Sequence, residues 1–254
     1  MNTRTRSRIA DGAGPGRKDT VMTTTNARSA EPAAPATAGH ERLVRGLVAV
    51  AMVAGPLAYL VGGVLEPSAH TSGAVTVAAN AAANPVVNST HLAAFVVASF
   101  LLPVGVVGLA HLAWRRTPWS ATIGGLLGVL GWLPLAALAA LDDLAAVMAR
   151  RPSDGADAAL WDQFAYDPLM NSYLIIYIVG HLIAYVLLGL ALHRARVIPA
   201  WAAFSMIASS PVLILAFALP DRLGPTTLAI AATSVALLIV GSVPAARAIA
   251  SRDT

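Results

Sequence analysis

The sequence predicts an all-α protein: one polytopic bundle of six transmembrane helices with its N- and C-termini in the cytoplasm. Three observations carry that prediction. Of 254 residues, 57% are hydrophobic and only 12% are charged, against about 45–50% and about 25% in soluble domains. Mean hydropathy is +0.68. So little polar surface cannot cover a water-soluble globule. The apolar residues also gather into six runs, each near the roughly 20 residues that cross about 30 Å of hydrocarbon. Finally, arginine falls mainly on alternate sides of those runs. The absence of cysteine excludes a disulfide scaffold, a thiolate nucleophile, an iron–sulfur cluster and a cysteine-ligated zinc.

Residues 1–43 are rich in Arg, Thr, Ser, Ala, Pro and Gly, with no apolar period. Such a stretch buries too little surface to offset its ordering entropy and reads as a disordered cytoplasmic tail. Met22 offers an alternative translation start. Residues 44–247 form the transmembrane domain and 248–254 a short cytoplasmic tail. The first span, Leu47–Leu65, follows Arg42 and Arg45. It is long for a signal-peptide core and no small-residue cleavage site follows, so it reads as a retained helix. The second span, His91–Ala113, stops before Arg115-Arg116, and the third, Ala121–Leu141, runs into Asp142-Asp143. The fourth, Ser172–Leu192, ends at Arg194 and Arg196. The fifth, Ala200–Leu219, stops before Asp221, and the sixth, Thr226–Val243, precedes Arg247. Backbone groups in lipid must bond internally, and runs of this length and spacing fit helices, not barrel strands. Pro103, Pro134 and Pro211 lie inside the second, third and fifth spans and are expected to kink them. Gly124, Gly125, Gly128 and Gly131 give the third span a small-residue side suited to close helix contact.

Orientation follows from arginine placement. With the N-terminus inside, the inner flanks carry Arg42, Arg45, Arg115, Arg116, Arg194, Arg196, Arg247 and Arg252. The outer flanks carry Arg150, Arg151 and Arg222. Loops 66–90 and 142–171 then face outward from the plasma membrane. The formal charge of +4 and the pI of about 10.0 are accounted for by these flanks. No basic-aromatic patch or groove-reading helix points to nucleic acid. No Walker A loop or Rossmann glycine pattern points to a nucleotide. The lipid bilayer is the expected partner, and the sequence identifies no protein partner. A weak internal repeat runs through the chain: Asn88-Ser89, Gly108, Arg115 and Pro118 match Asn171-Ser172, Gly189, Arg196 and Pro199.

Two features bear on chemistry. Tyr173, Tyr177, His181 and Tyr185 recur every four residues on the fourth span, which places them on one slowly drifting stripe. His181 lies about ten residues in, roughly 15 Å deep by the helix rise. Polar groups at that depth are costly and normally face the bundle interior. The stripe reads either as the lining of a cavity or as interhelical hydrogen bonds that hold the bundle together. The second feature is a polar ring at the outer face. Glu66 closes the first span, His91 opens the second, Asp142 and Asp143 close the third, and Asp221 closes the fifth, with His70 nearby. These groups read as a cavity mouth, or as the charged residues that ordinarily sit at helix ends. No tightly spaced ligand motif points to a metal. His91 and His181 differ in depth, and the depth-matched His111 and His193 sit beside arginines; no haem or other cofactor is expected.

Leu65-Glu66-Pro67, the Ala-rich stretch to Asn84-Pro85, His91, Asp142 and the run Arg196-Val197-Ile198-Pro199-Ala200-Trp201 resemble a group of uncharacterised actinobacterial six-helix integral membrane proteins with no assigned activity. The resemblance spans about residues 46–245. It implies the six-helix topology and supplies no reaction. Members often carry Leu-His-Pro where this chain has Leu-Glu-Pro, which weighs against a histidine-based metal site here.

Three functional readings follow. The first is a non-enzymatic membrane protein that binds or passes a small molecule or ion through an outward-facing polar cavity. In it, Tyr173, Tyr177, His181 and Tyr185 line the cavity, and Glu66, His91, Asp142 and Asp143 form its mouth. The second is a structural or partner-binding subunit without a site. The third is an intramembrane enzyme acting on a lipid-like substrate, with an imidazole as base and a carboxyl as acid.

Overall fold

A computed structural model describes residues 36–68, 72–151, 155–219 and 224–251. Residues 1–35 with Met22, His70, Asp221, Arg222 and Arg252, which figure in the expectations above, lie outside the described residues. Among the described residues the fold is all-α. The helices are α1 (Ala36–Leu65), α2 (Gly73–Ala82), α3 (Pro85–Ala113), α4 (Pro118–Trp132), α5 (Leu135–Met148), α6 (Ala156–Ala165), α7 (Pro168–Ala195), α8 (Ala200–Ala218) and α9 (Pro225–Ala250). Six stretches are long and apolar enough to cross a membrane: α1, α3, α4 together with α5, α7, α8 and α9. The chain is a multi-pass membrane protein.

Several spans overrun their apolar runs, and the caps give the reason. Asn84 precedes Pro85, and its side chain accepts from the Val86 and Val87 N–H groups at 2.9 and 3.3 Å. Asp167 precedes Pro168 and accepts from Leu169 N–H at 2.8 Å. An Asx cap followed by proline at the first helical position starts a helix at little cost, because that N–H has no helical partner anyway. His91 therefore does not open its helix but lies inside α3. The third span likewise continues past Asp142-Asp143 to Met148, so these residues do not close it. Four of the five residues of Leu144–Met148 (Leu, two Ala and Met) are good helix formers. α1 begins at Ala36, so residues 36–43, expected in the tail, are helical, and the first candidate span starts at Gly39.

Pro134 does more than kink the third span. α4 ends at Trp132 and α5 begins at Leu135. Leu133 N–H still bonds the Val129 carbonyl, while Ala137 and Leu138 N–H groups share the Pro134 carbonyl, both at 3.0 Å. Pro103 and Pro211 by contrast sit within uninterrupted α3 and α8.

The spans close a ring in the order α1, α3, α4, α7, α8, α9. α4 packs closely on α7, and Gly131 meets Gly180 at their crossing: a Cβ built on Gly180 would stand 2.7 Å from Gly131 Cα. Only two glycines let the backbones approach this far. Beyond the break at Pro134, α5 barely touches α7 and leans instead on α3 and α2. At the opposite end of the bundle, Arg116 Nη1 donates to the Ala195 carbonyl at 2.6 Å, and Arg196 adopts a left-handed backbone, φ 54°, to end α7. A cation on the last carbonyls of a helix is the favourable arrangement.

Both loops expected at the outer face carry a short helix. Ser72 Oγ caps α2 by accepting from Val75 N–H at 3.3 Å. Gly73 N–H donates to Asp162 Oδ1 of α6 at 2.7 Å, so one aspartate of the acidic loop meets the positive end of α2. Trp161 of α6 is buried with Leu141, Met148 and Met170. α6 is thereby fastened over the gap between α5 and α7.

Candidate functional site

The residues singled out in the sequence divide into three groups in the structure. The first is an aromatic cluster where α1, α4 and α7 meet. Trp132, His181, Tyr185 and Tyr177 are all buried. Trp132 Nε1 donates to the Tyr185 hydroxyl at 3.0 Å, and the Trp132 and His181 rings stack at 4.6 Å. His181 Nδ1 bonds the Tyr177 carbonyl one turn back. A carbonyl only accepts, so Nδ1 carries the proton. Nε2 has no hydrogen-bond partner among the described residues. Tyr177 and Tyr59 bond each other through their hydroxyls. Tyr173 does not join the cluster: it is 36% exposed. Four residues per step exceed the helical 3.6, so the stripe rotates off the buried face toward the start of α7.

The second group ties α1, α3 and α5 together. His91, 1% exposed, donates from Nδ1 to the Gly62 carbonyl at 2.8 Å. Its Nε2 stands 3.6 Å from Asp142 Oδ2, within ion-pair range but beyond a hydrogen bond. Phe95 packs edge-on against the imidazole, with ring centres 4.8 Å apart. With Nδ1 committed to Gly62, Nε2 is the ring nitrogen that faces the Asp142 carboxyl. Asp143 faces away and is exposed, because adjacent helical positions differ by about 100°.

The third group is a cavity of about 910 Å³. It runs along α7 from Met170 to Leu182, about 18 Å at 1.5 Å per residue. α6 covers it through Trp161 and Ala165, with Tyr166 just beyond its end, and α8 and α9 supply aliphatic wall. Polar residues among its lining include Glu66, Asp142, Asn171, Tyr59 and Tyr177. Every position from Ser172 to Ile176 is exposed, since the cavity lies on one side of that turn and the surroundings of the bundle on the other.

The tertiary structure thus redistributes the expected cavity. Tyr177 alone of the tyrosine stripe lines it, whereas His181 and Tyr185 sit against Trp132. Glu66 and Asp142 reach it, His91 stands behind Asp142, and Asp143 stays outside. The walls are mainly apolar, not polar as expected. Sequence reasoning missed Tyr59 and Trp132. The available signal for Tyr59 was a lone hydroxyl inside the first apolar run. Among the described residues, no group of three or more His, Asp or Glu side chains is placed to hold a metal ion.

Comparison with protein-family models, with curated proteins and with solved structures finds no match for this chain.

Proposed function

We propose that this multi-pass membrane protein binds a small, largely hydrophobic molecule in the cavity beneath α6, with the molecule's polar end against Glu66, Asp142 and the Tyr59–Tyr177 pair. The cavity itself carries the reading. Its volume of about 910 Å³ lies within the roughly 300–1,000 Å³ of small-molecule sites. Apolar walls with a few convergent polar groups are the usual make-up of such sites. A catalytic reading has less support, because His91 is held behind Asp142 and does not line the cavity. The arginine pattern supports a plasma-membrane protein with both termini cytoplasmic and the cavity at the outer end. Glu66, Asn84-Pro85, His91 and Asp142 support grouping the chain with the actinobacterial six-helix proteins it resembles.

Nile red, a neutral hydrophobic dye, tests the reading on protein in lipid nanodiscs. Saturable dye fluorescence is expected in the wild type. It is expected to be lost in Ala231→Trp, which fills the cavity from α9, with the unfolding temperature retained. Equal saturable signals in the two proteins would overturn the proposal.

A further inference from the structure

We infer that the molecule held beneath α6 is a bilayer lipid, whose acyl chain enters sideways between α7 and α8; the inference rests on the cavity being a binding site. The order of contacts along these helices carries it. At the end of the bundle away from α6, α7, α8 and α9 are tied closely. Gly189 of α7 backs onto α8, where an added Cβ would stand 3.0 Å from the Ala203 carbonyl oxygen. Gly241 of α9 meets the Ala202 carbonyl in the same way, at 2.7 Å. Nearer the cavity, Ser210 Oγ donates to the Leu182 carbonyl at 2.8 Å and Ser234 Oγ to the Ser209 carbonyl at 2.7 Å. Leu182 itself and Leu213 already line the cavity. Pro211, which follows Ser210, has no N–H to offer the preceding turn. α8 therefore gives up a helical bond just where it begins to form cavity wall.

Beyond that point the wall is also the outer surface of the bundle. Counted from the Ser210–Leu182 bond, Ile214 lies four residues along α8 and Ile178 four along α7, while Phe217 and Leu174 lie seven and eight along. Equal rise per residue sets the members of each pair at similar depth, the second pair roughly 11–12 Å from the bond. All four line the cavity, yet Ile214, Phe217 and Leu174 are 53%, 41% and 40% exposed. At the level of Ser172–Ile176 every position of α7 is exposed, and consecutive positions point about 100° apart, so the exposure runs around the helix. Leu174, Ile178, Ile214 and Phe217 all belong to stretches long and apolar enough to cross a membrane, whose surroundings are hydrocarbon. Side chains that both line the cavity and face hydrocarbon mark where the two are continuous. A chain passing between them exchanges one apolar environment for another, and filling the space restores dispersion contacts that an empty apolar void forfeits. The cavity also has the orientation of a lipid. It runs along α7, a membrane-crossing helix, with Glu66 and Asn171 at the α6 end and Leu138, Leu182, Leu213 and Val235 among its apolar walls.

Native mass spectrometry of protein released into detergent from nanodiscs of one phospholipid, dioleoylphosphatidylcholine, tests this. The wild type is expected to keep one phospholipid under conditions that strip Ala231→Trp bare. Mixed beforehand with chain-deuterated phospholipid, the wild type is expected to exchange its lipid about tenfold faster than Leu174→Trp/Ile214→Trp, which crowds the gap. Phe217→Ala, which widens the gap, is expected to speed exchange, so the route does not depend on a bulky variant folding. Loss of all lipid from the wild type, or equal retention by Ala231→Trp, overturns the lipid inference, and a saturable, cavity-dependent Nile red signal then leaves the binding site standing. Equal exchange rates in the wild type and the gap variants overturn entry between α7 and α8. Absence of both retained lipid and cavity-dependent dye overturns the inference and the binding site together.

Discussion

At the scale of single residues, helical spacing overstates what a side chain does. Tyr173 and Tyr185 belong to one sequence pattern but live in different surroundings. Tyr185 accepts the Trp132 indole N–H in the core, while Tyr173 is exposed. Tyr185→Phe leaves that buried N–H without its acceptor and is expected to destabilise the bundle by about 1 kcal/mol. Tyr173→Phe should change little. Unfolding in detergent reads both, and equal effects would contradict the placement. His91 and Asp142 are coupled in the same sense. His91→Ala strips Asp142 of its imidazole and is expected to cost about 1–3 kcal/mol. The added cost should be small once Asp142 is already Asn. A double-mutant cycle measures the difference, and strict additivity would show that the 3.6 Å contact carries no energy. The chemistry of these residues was legible in the sequence, since a histidine or carboxyl inside an apolar run demands a partner. The identity of the partner was not. Asp142 lies 51 positions from His91, and only the packing of α5 on α3 joins them.

At the scale of elements, the break at Pro134 makes the cavity. α4 is held to α7 by the Gly131–Gly180 crossing. α5 departs from that line and opens the space that α6 covers. Pro134→Ala restores a backbone donor and removes the steric cause of the break. It is expected to straighten α4 into α5 and lower Nile red affinity, with no loss of stability. Unchanged affinity would mean that packing against α2 and α3 alone sets the direction of α5. The span positions could be read from the apolar runs, and the helix starts could have been read from Asn84-Pro85 and Asp167-Pro168. α2 and α6 are harder to see. Ten residues each, they are too short to span, and an isolated helix of that length is marginal in water. Each is held by contacts distant in sequence: Gly73 with Asp162, and Trp161 with Leu141, Met148 and Met170.

At the scale of the whole molecule, six spans put the start of α1 and the end of α9 on one side of the membrane. The cysteine-free sequence makes the orientation simple to test. A cysteine at Ala159 on α6 is expected to react with an impermeant maleimide added outside intact cells. One at Ser251, after α9, is expected to react only once the membrane is opened. The reverse pattern would invert the topology, and labelling of both from one side would break the six-span count. The span count and order, and the arginine asymmetry, are determined by composition along the chain. The cost of placing polar backbone or charge in hydrocarbon is local and can be summed over about 20 residues without knowing any neighbour. Which buried groups meet one another, and which meet a cavity, is decided only in three dimensions. Inside lipid the apolar faces of a helix are nearly equivalent in solvation, so rotation and tilt are chosen by close packing between helices distant in sequence. That choice set His181 against Trp132, brought Asp142 beside His91, and placed Glu66 and Asp142 among the residues that line the cavity.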